Sequence, residues 1–161
     1  MNPAITIRPR RPQDEDWLSR LLAESWGSTR VVTRGRLHDA NRLPALVAEC
    51  DGHPAGALTY RIEGEECELV TLNSLLERRG VGSALLKSLI GLAREAGCRR
   101  VWLITTNDNT PALRFYQLRG MGLVAVHRGA VDRSRRLKPE IPAVGLDGIA
   151  LRDEIELEIL L

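Results

Sequence analysis

The sequence predicts a mixed α/β fold in one domain, a central sheet flanked by helices. Strand-like segments separated by turn signals fill the first half of the chain, and a strand–helix–strand–helix–strand succession follows. The length of 161 residues suits one domain and allows a buried core without disulfide staples. Fractions of 43% apolar and 27% charged residues are those of a globular protein.

Taken in order, residues 4–8 alternate apolar and polar as a short strand that stops at Pro9. Residues 13–25 carry Trp17, Leu18, Leu21 and Leu22 at helical spacing, continued by Trp26, after an acidic first turn. Residues 27–43 are polar and basic and read as a loop or short helix over the surface. Residues 46–50 and 55–62 are strands joined by Asp51-Gly52, a hairpin signal, and Gly64-Glu65 turns the chain into a third strand at 67–72. Leu85, Leu86, Leu89, Ile90 and Ala93 then form one stripe of a helix ending near Gly97. Residues 101–105 read as a buried strand, 111–119 as a short helix and 123–127 as another strand. Strict alternation over 153–159 marks a half-buried final strand. No repeat or low-complexity linker interrupts the chain, so residues 1–161 are taken as one domain.

Charge and cysteine usage narrow the function classes. With 23 Lys+Arg against 21 Asp+Glu the net charge is +2, too balanced for a nucleic-acid scaffold. Cys50, Cys67 and Cys98 are odd in number, far apart and without a CxxC pair, so neither a disulfide framework nor a metal site is expected. No apolar run approaches the ~18 residues of a membrane span, and the start, MNPAITIRPRRP, lacks a signal peptide's hydrophobic stretch. A cytoplasmic protein with no membrane or nucleic-acid partner is the expectation.

The stretch LLERRGVGSALL, residues 75–86, places Gly80 and Gly82 where a strand hands over to a helix. A helix start offers unpaired N–H groups and the positive end of the helix dipole, and glycines let backbone approach an anion closely. Arg78 and Arg79 add positive charge. The dinucleotide fingerprint would need a third glycine where Leu85 stands, and no Gly-Lys-Ser/Thr run supports a P-loop. Alone, the pair fits an ordinary strand–helix turn as well as a phosphate cradle.

Downstream, TTNDNTPALRFYQLRGM (105–121) follows a buried strand and opens a second helix. Together the two segments resemble the GCN5-related N-acetyltransferase (GNAT) superfamily. Its acetyl-coenzyme A signature is Gln/Arg-x-x-Gly-x-Gly/Ala at a strand–helix junction, then an Asn-rich turn and a helix bearing Phe-Tyr. Gly80, Gly82, Asn109 and Phe115-Tyr116 match it, and element order agrees from Ile5 to Val126. The resemblance implies the family's fold, with a mostly antiparallel sheet, acetyl-CoA as co-substrate and an amine acceptor. It puts the pyrophosphate on the N–H groups of Arg79, Gly80, Val81, Gly82 and Ser83, with Arg78 beside them. It puts the backbone of Leu72, Asn73 and Leu75 along the pantetheine, Asn109, Ala112 and Phe115 beside that arm, and Tyr116 at the sulfur. Glu77 departs from the pattern, standing where Gln or Arg is favoured. A carboxylate repels pyrophosphate, so Glu77 is expected to face solvent or an arginine.

Acetyl transfer to an amine needs a neutral acceptor, because an ammonium with a pKa near 10.4 has no lone pair. It also needs an N–H donor for the oxyanion and a proton for the leaving thiolate. The resemblance gives the last role to Tyr116, and the oxyanion donor to a main-chain N–H near Leu72. For the base, Glu68 on the strand leading to the cradle is the candidate. Strict alternation would set Glu68, Val70 and Leu72 on one face; a solvated strand-end acid is the competing reading. His127 is a second candidate by its ordinary pKa near 6.5, while His38 and His53 fall in loop-like contexts. The acidic alternation of Glu154, Glu156 and Glu158 reads as soluble edge decoration, or its entry at 148–153 lines the acceptor cleft. The basic run 133–138 reads as a solvated helix or a phosphate contact. The leading reading is an acetyl-CoA-dependent N-acetyltransferase acting by direct attack of a small-molecule or peptide amine. The alternative is a non-catalytic acyl-CoA-binding or regulatory module. Oligomeric state is open, although strand 153–159 could pair across a two-fold in a homodimer.

Overall fold

A computed structural model describes residues 4–161; residues 1–3, the start of the segment read for a leader, lie outside the described residues. The chain runs β1 (Ile5–Pro9), α1 (Glu15–Trp26), β2 (Arg30–Thr33), β3 (Arg36–Asp39), β4 (Ala45–Cys50), β5 (His53–Glu63), β6 (Glu66–Ser74) and α2 (Val81–Glu95). It continues with β7 (Arg100–Thr106), α3 (Thr110–Leu118), β8 (Gly122–His127), α4 (Ala130–Ser134) and β9 (Glu154–Leu160). Seven strands form one sheet in the order β1-β4-β5-β6-β7-β9-β8, and β2-β3 form a separate hairpin. All neighbours in the large sheet are antiparallel except β6 and β7, whose parallel crossover is α2. The sheet is therefore mixed and mostly antiparallel.

Each face buries its own apolar layer. Leu85, Leu86, Leu89 and Ala93 of α2 pack with Leu58, Leu69, Val101, Leu103 and Tyr116 on one side. Leu18, Leu21 and Leu22 of α1 pack with Val31, Ala57 and Val70 on the other. A fully buried leucine contributes about 1.5–3 kcal/mol, so the periodic stripes read in the sequence hold both helices to the sheet. Gly27, at φ 78, ends α1 in the left-handed conformation that favours glycine. All three cysteines are free and buried.

Three expectations are corrected. Residues 27–43 are more than a surface loop or short helix: they carry the β2–β3 hairpin, turned at Arg34 (φ 47) and Gly35 (φ 74), ahead of a short 3-10 helix at Ala40–Arg42. Two successive positive φ values make the twist of a two-residue hairpin turn. The final strand is not an edge: β9 lies between β7 and β8, so both its edges are bonded and it cannot pair across a two-fold. Its Glu154 and Glu156 are buried rather than solvated. Alternation on β6 is broken by a bulge, Thr59 pairing with Thr71 and Tyr60 with Leu69 so that Val70 has no partner on β5. Leu69 and Leu72 thus both pack on the α2 side, while Val70 packs with α1.

Candidate active site

The parallel pair opens in the middle of the sheet. Register between β6 and β7 ends at Leu69 and Leu103, although β6 continues to Ser74 and β7 to Thr106. Their outer edges stay bonded, Ser74 to Gly56 and Thr106 to Glu154. The inner edges therefore part into a cleft with backbone N–H and C=O groups free to bond an extended, amide-bearing chain. The Leu75 N–H is already committed to Ala55 C=O at 2.8 Å, and Asn73 Oδ1 accepts from Trp26 Nε1 at 3.2 Å.

Helix α2 starts at one end of this cleft. Its first intrahelical bond is Ala84 N–H to Gly80 C=O at 3.0 Å, which leaves the N–H groups of Val81, Gly82 and Ser83 without helical partners. Arg78 and Gly80, at φ 58 and 77, turn the chain into the helix. A Cβ on Gly82 would stand 3.1 Å from Phe115 Cζ, so glycine lets the start of α2 abut α3. A Cβ on Gly56 would stand 2.6 Å from Asn73 O and 2.8 Å from Val81 Cγ1, so this second glycine fixes how close β5 comes to the same junction. Arg119 spans the two helices: Nε donates to Ser83 Oγ at 2.7 Å, and the guanidinium lies 3.6 Å over the Phe115 ring. Glu77, Arg78 and Arg79 are exposed, and Glu77 has no ion-pair partner among the described residues. Arg119 therefore supplies positive charge beside Ser83 that the glycine motif did not reveal.

On α3, Asn109 caps the helix by accepting the Ala112 N–H at 3.2 Å. Tyr116 is 7% exposed and meets Phe115 edge-on at 5.0 Å. Burial pushes its phenol well above the ordinary range, so it keeps its proton at neutral pH. Its hydroxyl bonds no protein group among the described residues and is not fully enclosed, Asn41 Oδ1 being the buried unpartnered atom.

Glu68 is 2% exposed, not a solvated strand-end acid. Its oxygens accept from Thr33 Oγ1 at 2.6 Å and Arg61 Nε at 3.1 Å. Thr33 also meets His38 Nε2 at 2.7 Å. His38 lies in β3 rather than a loop, and burial lowers its pKa. This network holds the hairpin to β6, one residue before the strands part. His127 is drawn to Glu156 at 3.1 Å in a pocket with Arg34, Arg133 and Glu154, apart from Tyr116. Arg100 pairs with Glu156 and Glu158 at 3.0 and 2.8 Å, and Glu154 accepts from the Arg34 N–H at 3.0 Å and Ser134 Oγ at 3.1 Å, which together account for the acidic strand. His53 is exposed at the start of β5.

A cavity of about 530 Å³ adjoins the far ends of α1 and β7, lined by Trp26, Val31, Val32, Thr106, Asp108 and Lys138 among others. Asp108, next to Asn109, accepts from Thr106 Oγ1 at 2.5 Å and the Leu146 N–H at 3.0 Å, pinning the loop before β9. A Cβ on Gly145 would fall 2.0 Å from Asp108 Oδ2, so the loop closes only with glycine there. Arg135 fastens the same loop to Ile141, Pro142 and Leu151 carbonyls. In the basic run, Ser134 and Lys138 are thus buried rather than solvated. Sequence spacing carries no sign of the roles of Asp108, Gly145 or Lys138, because the contacts that fix them reach far along the chain, Asp108 to Gly145 and Leu146 and Lys138 to Trp26 and Arg30. Among the described residues no three His, Cys, Asp or Glu side chains gather as a metal-binding group.

Residues 10–122 match the sequence model of the acetyltransferase (GNAT) family. The chain is 40% identical over 152 residues to the uncharacterized protein YdhI of Bacillus subtilis strain 168, covering 94% of this chain and 95% of that one. It is 38% identical over 115 residues to a mycothiol acetyltransferase of Clavibacter sepedonicus, covering 64% of this chain and 38% of that protein. Its fold superposes with TM-score 0.74 on a Bacillus subtilis acetyltransferase in complex with CoA, at 18% identity over 98% of this chain and 99% of the other. A GNAT acetyltransferase from Elizabethkingia anophelis with acetyl-CoA bound gives TM-score 0.68 at 20% identity, over 98% of each chain.

Proposed function

The chain belongs to the acetyltransferase (GNAT) family, and from that premise we propose that it is an acetyl-CoA-dependent N-acetyltransferase acting on a primary amine of a small molecule or peptide. The observation that carries this reading is the parted β6–β7 edge, with the free N–H groups of α2 following β6, the helix bearing Tyr116 following β7, and the two helices meeting at Gly82 and Phe115. The pyrophosphate would lie on Val81, Gly82 and Ser83, where helix-end N–H groups favour an anion. Arg119 and, from the rim, Arg78 and Arg79 add charge there. Pantetheine would run along Leu72 and Asn73, with Asn109, Ala112 and Phe115 on its other side. Leu75 can contribute only its carbonyl, its N–H being used by Ala55.

The acceptor amine attacks the thioester carbonyl directly, with no covalent acyl-enzyme. The oxyanion donor is a main-chain N–H near Leu72, on the part of β6 that lies beyond its pairing with β7. Glu68 takes the ammonium's proton through water, being the β6 carboxylate one residue before the cleft. Tyr116 gives its proton to the leaving thiolate, and its high pKa keeps that proton in place until transfer. The whole chain, 1–161, works as one domain, without a metal, in the cytoplasm. The test is free-thiol release from acetyl-CoA across polyamines, aminoglycosides, amino acids and peptide N-termini. Amine-dependent release with N-acetyl product supports the reading; coenzyme binding without release on every amine would instead favour a non-catalytic module.

A further inference from the structure

Lys138 is 8% exposed and lines the 530 Å³ cavity. Its Nζ donates to Trp26 C=O and Arg30 C=O, both at 2.8 Å. No carboxylate among the described residues stands within ion-pairing distance; Glu140 lines the same cavity and acts on Lys138 only from farther away. A buried ammonium is costly without a counter-charge, and carbonyls supply only dipoles. Two of its three N–H donors are occupied, which leaves one. Burial lowers its pKa, the direction expected for a cation still lacking its anion.

The same cavity also carries the other sign. Asp108 lines the cavity and immediately precedes Asn109, the cap of the helix that bears Tyr116. This inference rests on the function proposed above; in this cavity Asp108 is the carboxylate that attracts the cationic end of an amine, on the chain segment that leads into the helix of Tyr116. The rest of the cavity is largely apolar, with Trp26, Val31, Val32 and Ile141.

We propose that the acceptor carries a carboxylate as well as an amine, and that Lys138 binds the carboxylate: the substrate class is amino acids and related amino carboxylates. A carboxylate on the buried Lys138 makes a charge-assisted hydrogen bond, stronger than one between neutral groups.

The experiment uses matched pairs that differ by the carboxylate, L-leucine against isoamylamine and 6-aminohexanoate against pentylamine, spanning two charge separations. With acetyl-CoA and the wild-type chain, the acid member of at least one pair is expected to show a kcat/KM tenfold or more above its partner. Lys138→Met should raise KM for the acid member and leave its partner unchanged, while Lys138→Arg keeps the preference. Equal or reversed preference in both wild-type pairs overturns the inference, whether or not the variants fold. So does an unchanged ratio in a Lys138→Met protein with wild-type Tm. If no amine releases thiol, the acetyltransferase reading fails, and calorimetry decides this inference separately. Amino carboxylates binding the CoA-saturated wild type but not Lys138→Met would uphold it; no binding to the wild type would overturn it.

Discussion

Replacing Gly82 by Asp tests the phosphate cradle at its narrowest point. The new Cβ would stand 3.1 and 3.3 Å from Phe115 ring carbons and 3.9 Å from Leu72 Cδ2. The ring must give by a few tenths of an ångström, and it lies under Arg119. Losing a helical glycine gains about 0.5–1 kcal/mol, and an acid in the first turn of a helix gains about 0.3–1 kcal/mol. These offset the ring's displacement, so Tm should stay within about 4 °C. Coenzyme binding responds differently. A carboxylate roughly 5 Å from a phosphate charge, at an effective dielectric of about 20, is repelled by about 3 kcal/mol before salt screening. It also takes for itself N–H groups that the pyrophosphate needs, each charge-assisted bond being worth about 1.5–3 kcal/mol. Calorimetry with CoA should show Kd weakened by more than ~100-fold, equivalent to about 2.7 kcal/mol. Gly82→Ala, which adds the contact without the charge, should cost less than about tenfold. Unchanged affinity in Gly82→Asp would refute the cradle, and equal losses in the two variants would refute its electrostatic basis.

Other expectations follow from the same geometry. Tyr116→Phe should lower kcat about 10²-fold with CoA affinity within twofold, and equal turnover at every pH would remove the acid role. Because the folded pKa of Tyr116 is raised, its stabilising contribution is full below the unfolded value near 10 and is lost as pH rises beyond it. Alkaline melting curves should therefore be flatter for Tyr116→Phe. His38 is shifted the other way by burial, so its contribution is present above about 6.5 and lost as pH falls below it. Tm should drop between pH 6.5 and 5 in wild type and less in His38→Gln; parallel curves would contradict this. Gly145→Ala drives a methyl into Asp108 and should destabilise the chain by about 1–3 kcal/mol through the lost Leu146 bond, read by urea unfolding.

The parts of this molecule legible in its sequence are those fixed by local periodicity. The α2 stripe, the Asp51-Gly52 turn and the buried strand at 101–105 each announce themselves within a dozen residues. The β2–β3 hairpin did not, because Arg36, Leu37 and His38 lack a clean alternation and Arg34-Gly35 is a weak turn signal. The burial of Glu156 depends on Arg100, of Glu154 on the Arg34 N–H and Ser134, and of Glu68 on Thr33 and Arg61, partners that only the tertiary fold supplies. The glycine pair and Asn109 were visible as motifs. Arg119 and Lys138 were not, since one acts across two helices and the other reaches back 108 and 112 residues.

A crystal structure of the chain with CoA tests the central claim most directly. The account predicts pyrophosphate oxygens within hydrogen-bond distance of the Val81, Gly82 and Ser83 N–H groups, and the thiol within reach of Tyr116 Oη. Coenzyme bound elsewhere, for instance in the Arg34–Arg133 pocket, or a thiol remote from Tyr116, would contradict it.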